Sequence, residues 1–278
     1  MPSPDRSPTV HGPPLWLRAA NWTLSAVSRA RARGGVLDAE QLERIASRKT
    51  GLRDFGDPMF RTGLQTLVRS LNDDVSLTPV GRIVMRQTLA GYLANRLEVR
   101  DALRRLPSIT GSPVTRPLFI VGLSRTGTTM LHNLLALAPD TRAPRTWELL
   151  QPAPPCPPGD PGTRRRRTKA RRQLRLLYLA APDLRIVHPI DVADAEECYP
   201  LLNHTFTSPA FGMHYGVPGY WDWVTHTPHD VARWAYEEYR SQLQVLQWGH
   251  PERRWILKSA VHLLNLPALL QVFPDALI

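Results

Sequence analysis

A chain of 278 residues, 42% hydrophobic and 21% charged, is long enough to bury a sizeable core and too apolar for a disordered tail. Its two cysteines, Cys156 and Cys198, exclude a disulfide framework and a cysteine-rich metal site. A net charge of +11 favours an anionic ligand, and without zinc-ligand spacing, a leucine-zipper pattern or an aromatic–basic signature, nucleic acid is not the expected partner.

Near the start, Arg18 and Asn21 interrupt the apolar run, so it reads as neither a signal peptide nor a membrane span. No stretch approaches the ~20 apolar residues a bilayer requires, and the expectation is a cytoplasmic protein with no membrane association. Residues 16–27 read as a helix, with Gly34 and Gly35 breaking the pattern beyond it. Asp38 with Gln41 resembles a capping box and opens a short helix through Leu42, Ile45 and Ala46. Phe60, Leu64, Leu67, Val68 and Leu71 share one helical face. Thr78 before Pro79 is a cap residue followed by proline at the first helical position, and Ile83, Val84, Leu93 and Leu97 continue that helix. No strand pattern occurs here, so residues 1–110 are expected to form an all-helical N-terminal region.

The character changes across residues 107–117. Leu118 to Val121 is the short apolar run of a buried parallel strand, and residues 128–138 are helix-periodic up to Pro139. QPAPPCPPGDPG reads as a proline-rich loop, and residues 164–172 as a basic run leading into a helix through Leu174, Leu177 and Tyr178. Four successive arginines fit either a solvated helix face or a ligand patch. Residues 206–223, with Tyr215, Tyr220, Trp221 and Trp223, are aromatic without a period and fit either an acceptor-pocket wall or core beneath a loop. Thr227-Pro228 opens a helix through Val231, Trp234 and Leu243 that Gly249 closes. Trp255 to Leu257 reads as a second strand, and residues 262–272 as a helix that Pro267 shortens or kinks. Phe273-Pro274-Asp275 is a turn, and Ala276-Leu277-Ile278 begins a third strand. The alternation predicts an α/β fold: a P-loop-type parallel sheet flanked by helices over residues 111–278. Because the chain stops as a core strand enters, this unit is expected to be incomplete at its C-terminus.

Gly122-Leu-Ser-Arg-Thr-Gly127-Thr128-Thr129 has the spacing of a phosphate-binding loop, with Thr128 where an ATP-hydrolysing loop carries lysine. Two glycines permit the tight turn that aims successive N–H groups into one concavity at a helix start. Thr128 and Thr129 add hydroxyls, and Arg125 supplies the positive charge and can fork two donors onto one group.

The segment FIVGLSRTGTTMLHNLLALAP resembles the 5′-phosphosulfate loop of sulfotransferases, in the branch similar to tyrosylprotein and bacterial carbohydrate or small-molecule sulfotransferases. PMFRTGLQTLVRSL and TPVGRIVMRQTLAGYLANRL resemble the N-terminal region of the bacterial members. The resemblance implies 3′-phosphoadenosine 5′-phosphosulfate (PAPS) as donor, no metal, and a small-molecule or carbohydrate hydroxyl as acceptor. Arg125, Thr126, Gly127, Thr128 and Thr129 match its 5′-phosphosulfate contacts, with Ser124 where proline is usual. RRWILKSAVHLLNLPALLQVFPDALI resembles the segment preceding the 3′-phosphate site, with Ala260 in place of the usual proline. There Lys258 matches the lysine that offsets charge on the bridging oxygen, although taken alone it reads as a lysine ending a strand. In RTWELL, Glu148 lies near the position of the general base in the tyrosylprotein branch, with Glu196, Glu197 and His188 as competitors. The arginine and serine that grip the 3′-phosphate in the family do not occur after Ala276 here, which implies weak donor binding and weak or absent turnover. Other readings are a P-loop kinase or NTPase, a non-catalytic homologue, and a basic binding protein using residues 164–172.

Overall fold

The computed structural model describes residues 12–30, 36–123, 125–157, 159–250 and 253–278. Helix α1 (Leu15–Ala30) opens the described chain. Asp38 Oδ1 accepts from the Gln41 N–H at 2.7 Å to cap α2 (Ala39–Thr50), which ends on Gly51 in the left-handed conformation. Helix α3 (Phe60–Asp73) buries the stripe of Phe60, Leu64, Leu67 and Leu71. Thr78 caps α4 (Pro79–Arg105) through the Gly81 N–H, with Pro79 in its first turn. Leu89, Leu93 and Leu97 of α4 are buried, whereas Ile83 and Val84 are exposed. Gly63 lets α3 approach closely: a Cβ there would lie 2.1 Å from the Phe206 carbonyl oxygen.

Strands β1 (Leu118–Ile120), β2 (Thr141–Arg142) and β3 (Arg254–Lys258) form a parallel sheet in the order β1-β3-β2. Leu118 pairs with Ile256, Ile120 with Lys258, and Thr141 with Arg254. The chain's last residues join the free edge of β1 in parallel, Phe119 donating to Leu277 O at 2.8 Å and Leu277 to Pro117 O at 2.9 Å. This is the beginning strand expected of residues 276–278. It places β1 inside the sheet, with the following loop at the carboxyl ends of the strands, where ligands bind in open α/β sheets.

Helix α5 (Thr128–Leu135) stops short of the expected Ala138, because the Thr141 hydroxyl donates to Leu135 O and Ala138 O, both at 2.8 Å, and draws the chain into a turn. Next come α6 (Thr146–Leu150) and α7 (Pro161–Ala180), the latter capped by Asp160 and so starting before the arginines rather than after them. Helices α8 (Leu184–Val187), α9 (Tyr199–Asn203), α10 (Pro209–Tyr215), α11 (Pro218–Thr225) and α12 (His229–Gln247) lead to β3. A 3-10 segment, Ala260–Asn265, precedes α13 (Leu266–Val272), and Pro267 sits in the first turn of α13, where it starts the helix rather than kinking it.

One apolar cluster joins the helical layer to the sheet, from Leu42 and Leu64 through Phe206 and Tyr239 to Trp255 and Phe273. Phe206, Phe211 and Tyr220 of the aromatic stretch are buried in it, and the Tyr220 hydroxyl donates to Phe206 O at 2.9 Å. These aromatics therefore serve as core. Arg96 of α4, also buried, ties the layers together through Glu238 at 2.8 Å and Phe55 O at 2.7 Å. No helix among the described residues is long and apolar enough to cross a membrane.

Candidate active site

The loop after β1 is shaped by two left-handed residues, Arg125 at φ 69° and Gly127 at φ 83°. Such a conformation costs a non-glycine residue about 1–2 kcal/mol, which is why glycine suits position 127 and why Arg125 is a notable exception. At Gly122 a Cβ would come within 3.0 Å of Thr128 Cγ2, so the loop closes tightly only without one. The Thr126 hydroxyl donates to Leu123 O at 2.8 Å and fixes the turn. Gly127 is the N-cap of α5 and offers no side-chain acceptor, which leaves the first-turn amides of Thr128, Thr129 and Met130 without a cap. Amides so placed favour an anion by about 0.3–1 kcal/mol, up to ~2 kcal/mol where partly buried. Arg125 is exposed and has no ion-pair partner among the described residues. Ser124 lies outside the described residues.

Sheet register supplies the second component. Because Ile120 pairs with Lys258, the end of β3 lies beside the start of the loop. Lys258 is buried, and its Nζ donates to Thr129 Oγ1 at 3.1 Å and to Glu197 Oε1. Ser259 Oγ donates to the other Glu197 oxygen at 3.3 Å. The Cys198 N–H donates to Lys258 O at 3.0 Å, anchoring this acidic segment to the strand end. Below it, His262 Nε2 lies 3.2 Å from Cys198 Sγ, and its Nδ1 lies 2.9 Å from the Tyr236 hydroxyl. Burial pulls His262 down to about 3 and pushes the Cys198 thiol up to about 12, so both are neutral near pH 7. They form a polar floor rather than a nucleophile and base. His132 of α5, 3.2 Å from Ile256 O, locks the loop's helix onto β3.

Glu148, the base expected from the sequence, is not beside Lys258. Its side chain is 6% exposed, with Oε1 bound by Arg142 Nη2 and Oε2 accepting from the Arg145 N–H at 2.9 Å. The Arg142 guanidinium in turn lies over the Trp255 ring, 4.8 Å from its centroid. Glu148 thus caps α6 and neutralises a buried arginine. The carboxylate at the loop is Glu197, 26% exposed, one of the three competitors named from the sequence. Nothing local distinguishes it, since its contact to Lys258 spans 61 residues of chain. The remaining competitors pair with each other, His188 Nε2 lying 3.2 Å from Glu196 Oε2. That hydrogen bond raises the His188 pKa. Burial would raise Glu196, but its bonds from His188 and the Glu197 N–H outweigh burial and lower it.

Residues 117–278 match the family described as the Sulfotransferase family. The crystal structure of the sulfotransferase STF1 from Mycobacterium tuberculosis H37Rv is 29% identical with a TM-score of 0.73, over 88% of this chain and 67% of that one. The sulfotransferase STF9 from Mycobacterium avium is 28% identical with a TM-score of 0.75, over 85% of this chain and 60% of that one. The chain therefore spans about two thirds of the length of these relatives, 67% and 60%. A search of curated proteins found no match. The mycobacterial sulfotransferases and this chain share a parallel sheet flanked by helices, and the family match covers both the glycine loop and Lys258. By that match, which takes in more than half of its residues, the chain belongs to the sulfotransferase family.

Proposed function

We propose that the chain moves a sulfuryl group from PAPS to a hydroxyl of a small-molecule or carbohydrate acceptor. The observation that supports this most directly is the meeting of Lys258 Nζ and Thr129 Oγ1, 3.1 Å apart, at the mouth of a glycine loop whose helix begins uncapped. These groups suit the phosphosulfate end of that donor: main-chain amides, threonine hydroxyls and an ammonium converge, with Arg125 at hand in the loop. An ATP-hydrolysing loop takes its cation from the position of Thr128. Here the cation comes from the end of β3 instead.

PAPS supplies an activated sulfuryl group on a phosphate leaving group. In this reading Arg125 and the amides of residues 128–130 hold the anionic end and keep it in line. Lys258 Nζ donates to the bridging oxygen, which keeps the electron pair as its bond to sulfur breaks and the acceptor oxygen bonds to sulfur. Glu197 takes the acceptor's proton, a contribution typically of about 10²–10⁴-fold. An arriving anion competes with Glu197 for the Lys258 ammonium, and that competition frees a carboxylate oxygen for the proton. Glu148, with both oxygens engaged, keeps the scaffold of α6 in place.

Calorimetric titration with adenosine 5′-phosphosulfate, which probes the 5′ end alone, tests the loop. A charge-assisted contact is worth about 1.5–3 kcal/mol, so Arg125→Ala should weaken binding at least about tenfold. Equal affinity in the parent chain and in Arg125→Ala sinks the assignment.

A further inference from the structure

We infer that the cleft between α7 and the edge of β2 is a second anion site, built for a small ligand carrying at least two phosphate, sulfate or carboxylate groups and separate from the glycine loop. A cavity of about 1170 Å³ opens there. Arg164, Arg167 and Arg171 line one wall. At offsets of three and seven residues, they form a single stripe on α7. Arg145 and Arg253 line the cavity as well, from the segment after β2 and from just before β3. The run of basic residues is therefore more than a solvated helix face, since one side of it lines a cleft that is open to solvent.

The charge in this cleft is poorly balanced. Arg142 and Glu148 neutralise each other, whereas the Asp160 carboxylate, which accepts from the Gly162 N–H at 2.5 Å, keeps its charge against the remaining arginines. Asp194 is the remaining carboxylate on the lining. Arg167 Nε is buried without a hydrogen-bond partner, a state that few polar groups in folded proteins occupy. The His250 imidazole on the same lining has its pKa lowered, first by burial and then by the charges of Arg142 and Arg253, which marks a positive potential inside the cavity.

Guanidinium groups grip oxyanions in pairs of parallel hydrogen bonds, which selects phosphate, sulfate or carboxylate over a neutral ligand. From Arg164 to Arg171 the stripe runs about 10 Å along the helix, so it engages a ligand whose anionic groups are spaced on that scale. A charged oligosaccharide of a few units fits this description, and the volume exceeds the about 300–1,000 Å³ of ordinary small-molecule sites. The cavity also touches Ala193 and Ala195, and Glu197 follows two residues later against Lys258. If sulfuryl transfer occurs at Lys258, as proposed above, the cleft would hold the anionic end of the acceptor. Binding in the cleft does not itself depend on that reading.

The test is calorimetry at fixed salt on the intact chain with a heparin-derived tetrasaccharide, alongside the neutral tetrasaccharide maltotetraose. Arg164 and Arg171 are exposed, so Arg164→Gln/Arg171→Gln should fold normally, which circular dichroism checks. The expected result is binding of the heparin fragment but not of maltotetraose, unchanged in Arg125→Ala and at least tenfold weaker in the double variant. Arg165→Gln/Arg172→Gln removes the same charge from positions of α7 outside the cavity lining and should lower affinity by less than threefold. Equal losses in the two double variants would reduce the effect to net charge and overturn the proposal. Undiminished binding in Arg164→Gln/Arg171→Gln overturns it too, as does loss of binding in Arg125→Ala, which would move the polyanion to the loop. Failure of adenosine 5′-phosphosulfate to bind leaves these outcomes unaffected, so the two readings fall separately.

Discussion

Replacing Glu148 and Glu197 in turn by glutamine separates a structural carboxylate from a reacting one. In Glu148→Gln the new amide has one acceptor where the carboxylate had two. Whichever way it is turned, its NH2 faces a donor, either Arg142 Nη2 or the Arg145 N–H. One charge-assisted bond is lost, about 1.5–3 kcal/mol, and the guanidinium over Trp255 loses its counter-charge. Outright removal of one partner of a buried pair costs about 3–5 kcal/mol, and the retained amide oxygen brings the expectation to about 3 kcal/mol. At about 2–4 °C per kcal/mol, Tm should fall by about 6–12 °C. Below that transition, kcat for transfer from PAPS to a probe acceptor such as 2-naphthol should change by no more than about threefold, since none of the lost bonds lies at the loop. Glu197→Gln should instead lower kcat by about 10²–10⁴-fold, and its Tm should fall as well, because the buried Lys258 ammonium loses its counter-charge. Thermal unfolding by circular dichroism and steady-state kinetics on the same preparations read both quantities. If Glu148→Gln abolished turnover at unchanged Tm while Glu197→Gln remained active, the proton would belong to Glu148 and the assignment to Glu197 would be refuted.

Gly63→Ala should destabilise the protein far more than Gly127→Ala, because its Cβ meets the Phe206 carbonyl oxygen at 2.1 Å while the Gly127 Cβ meets nothing within 4 Å. The former should cost more than about 3 kcal/mol in urea denaturation, and the latter only the left-handed backbone penalty of about 1–2 kcal/mol. Arg96→Met should cost about 3 kcal/mol, since it strands two backbone carbonyls, Phe55 O and Asp57 O, and leaves Glu238 with its longer pairing to Arg100 at 3.5 Å. On acidification, stability should fall progressively below about pH 6.5, where unfolded histidines take up protons. Folded His262, held down to about 3, and His204, held to about 4, stay neutral, so both favour the unfolded state as pH falls. The His188–Glu196 pair has a different window. The Glu196 contribution is present above its ordinary value of 4.5 and lost as pH falls through its lowered pKa, while the His188 contribution is present below 6.5 and lost as pH rises through its raised pKa. Denaturation free energies from pH 4 to 9 for the parent chain and His188→Gln should therefore differ most between about 4.5 and 6.5. A flat difference across that range contradicts the pairing.

Much of the architecture was legible because its causes are local. Asp38 and Thr78 announce helix starts within three residues of the amides they cap, and the stripe from Phe60 to Leu71 repeats with the helical period. The apolar runs at Leu118 and Trp255 are strands buried on both faces, and even the last residues, Ala276 to Ile278, declared the pairing that Leu277 makes with β1. Where local cues misled, a neighbour decided. Thr141 bends back to end α5 early, and Asp160 starts α7 ahead of the arginines. The aromatic stretch has no period because it runs through a turn and two short helices, from which Phe206, Phe211 and Tyr220 are drawn into the common core.

The sequence alone determined the loop, the helix that follows it and its missing lysine, because backbone turns and strand edges are set by residues a few positions apart. Only the tertiary structure decided which acid contacts Lys258 and which arginines line a cavity. Glu148 and Glu197 are the same residue type with the same local prospects. Parallel pairing of β1 with β3 carries Lys258 to the loop, the Cys198 amide draws Glu197 after it, and Glu148 stays paired with Arg142, whose guanidinium lies over Trp255. Contacts between residues 61 and 129 positions apart follow from sheet register and packing, which no short window of sequence encodes.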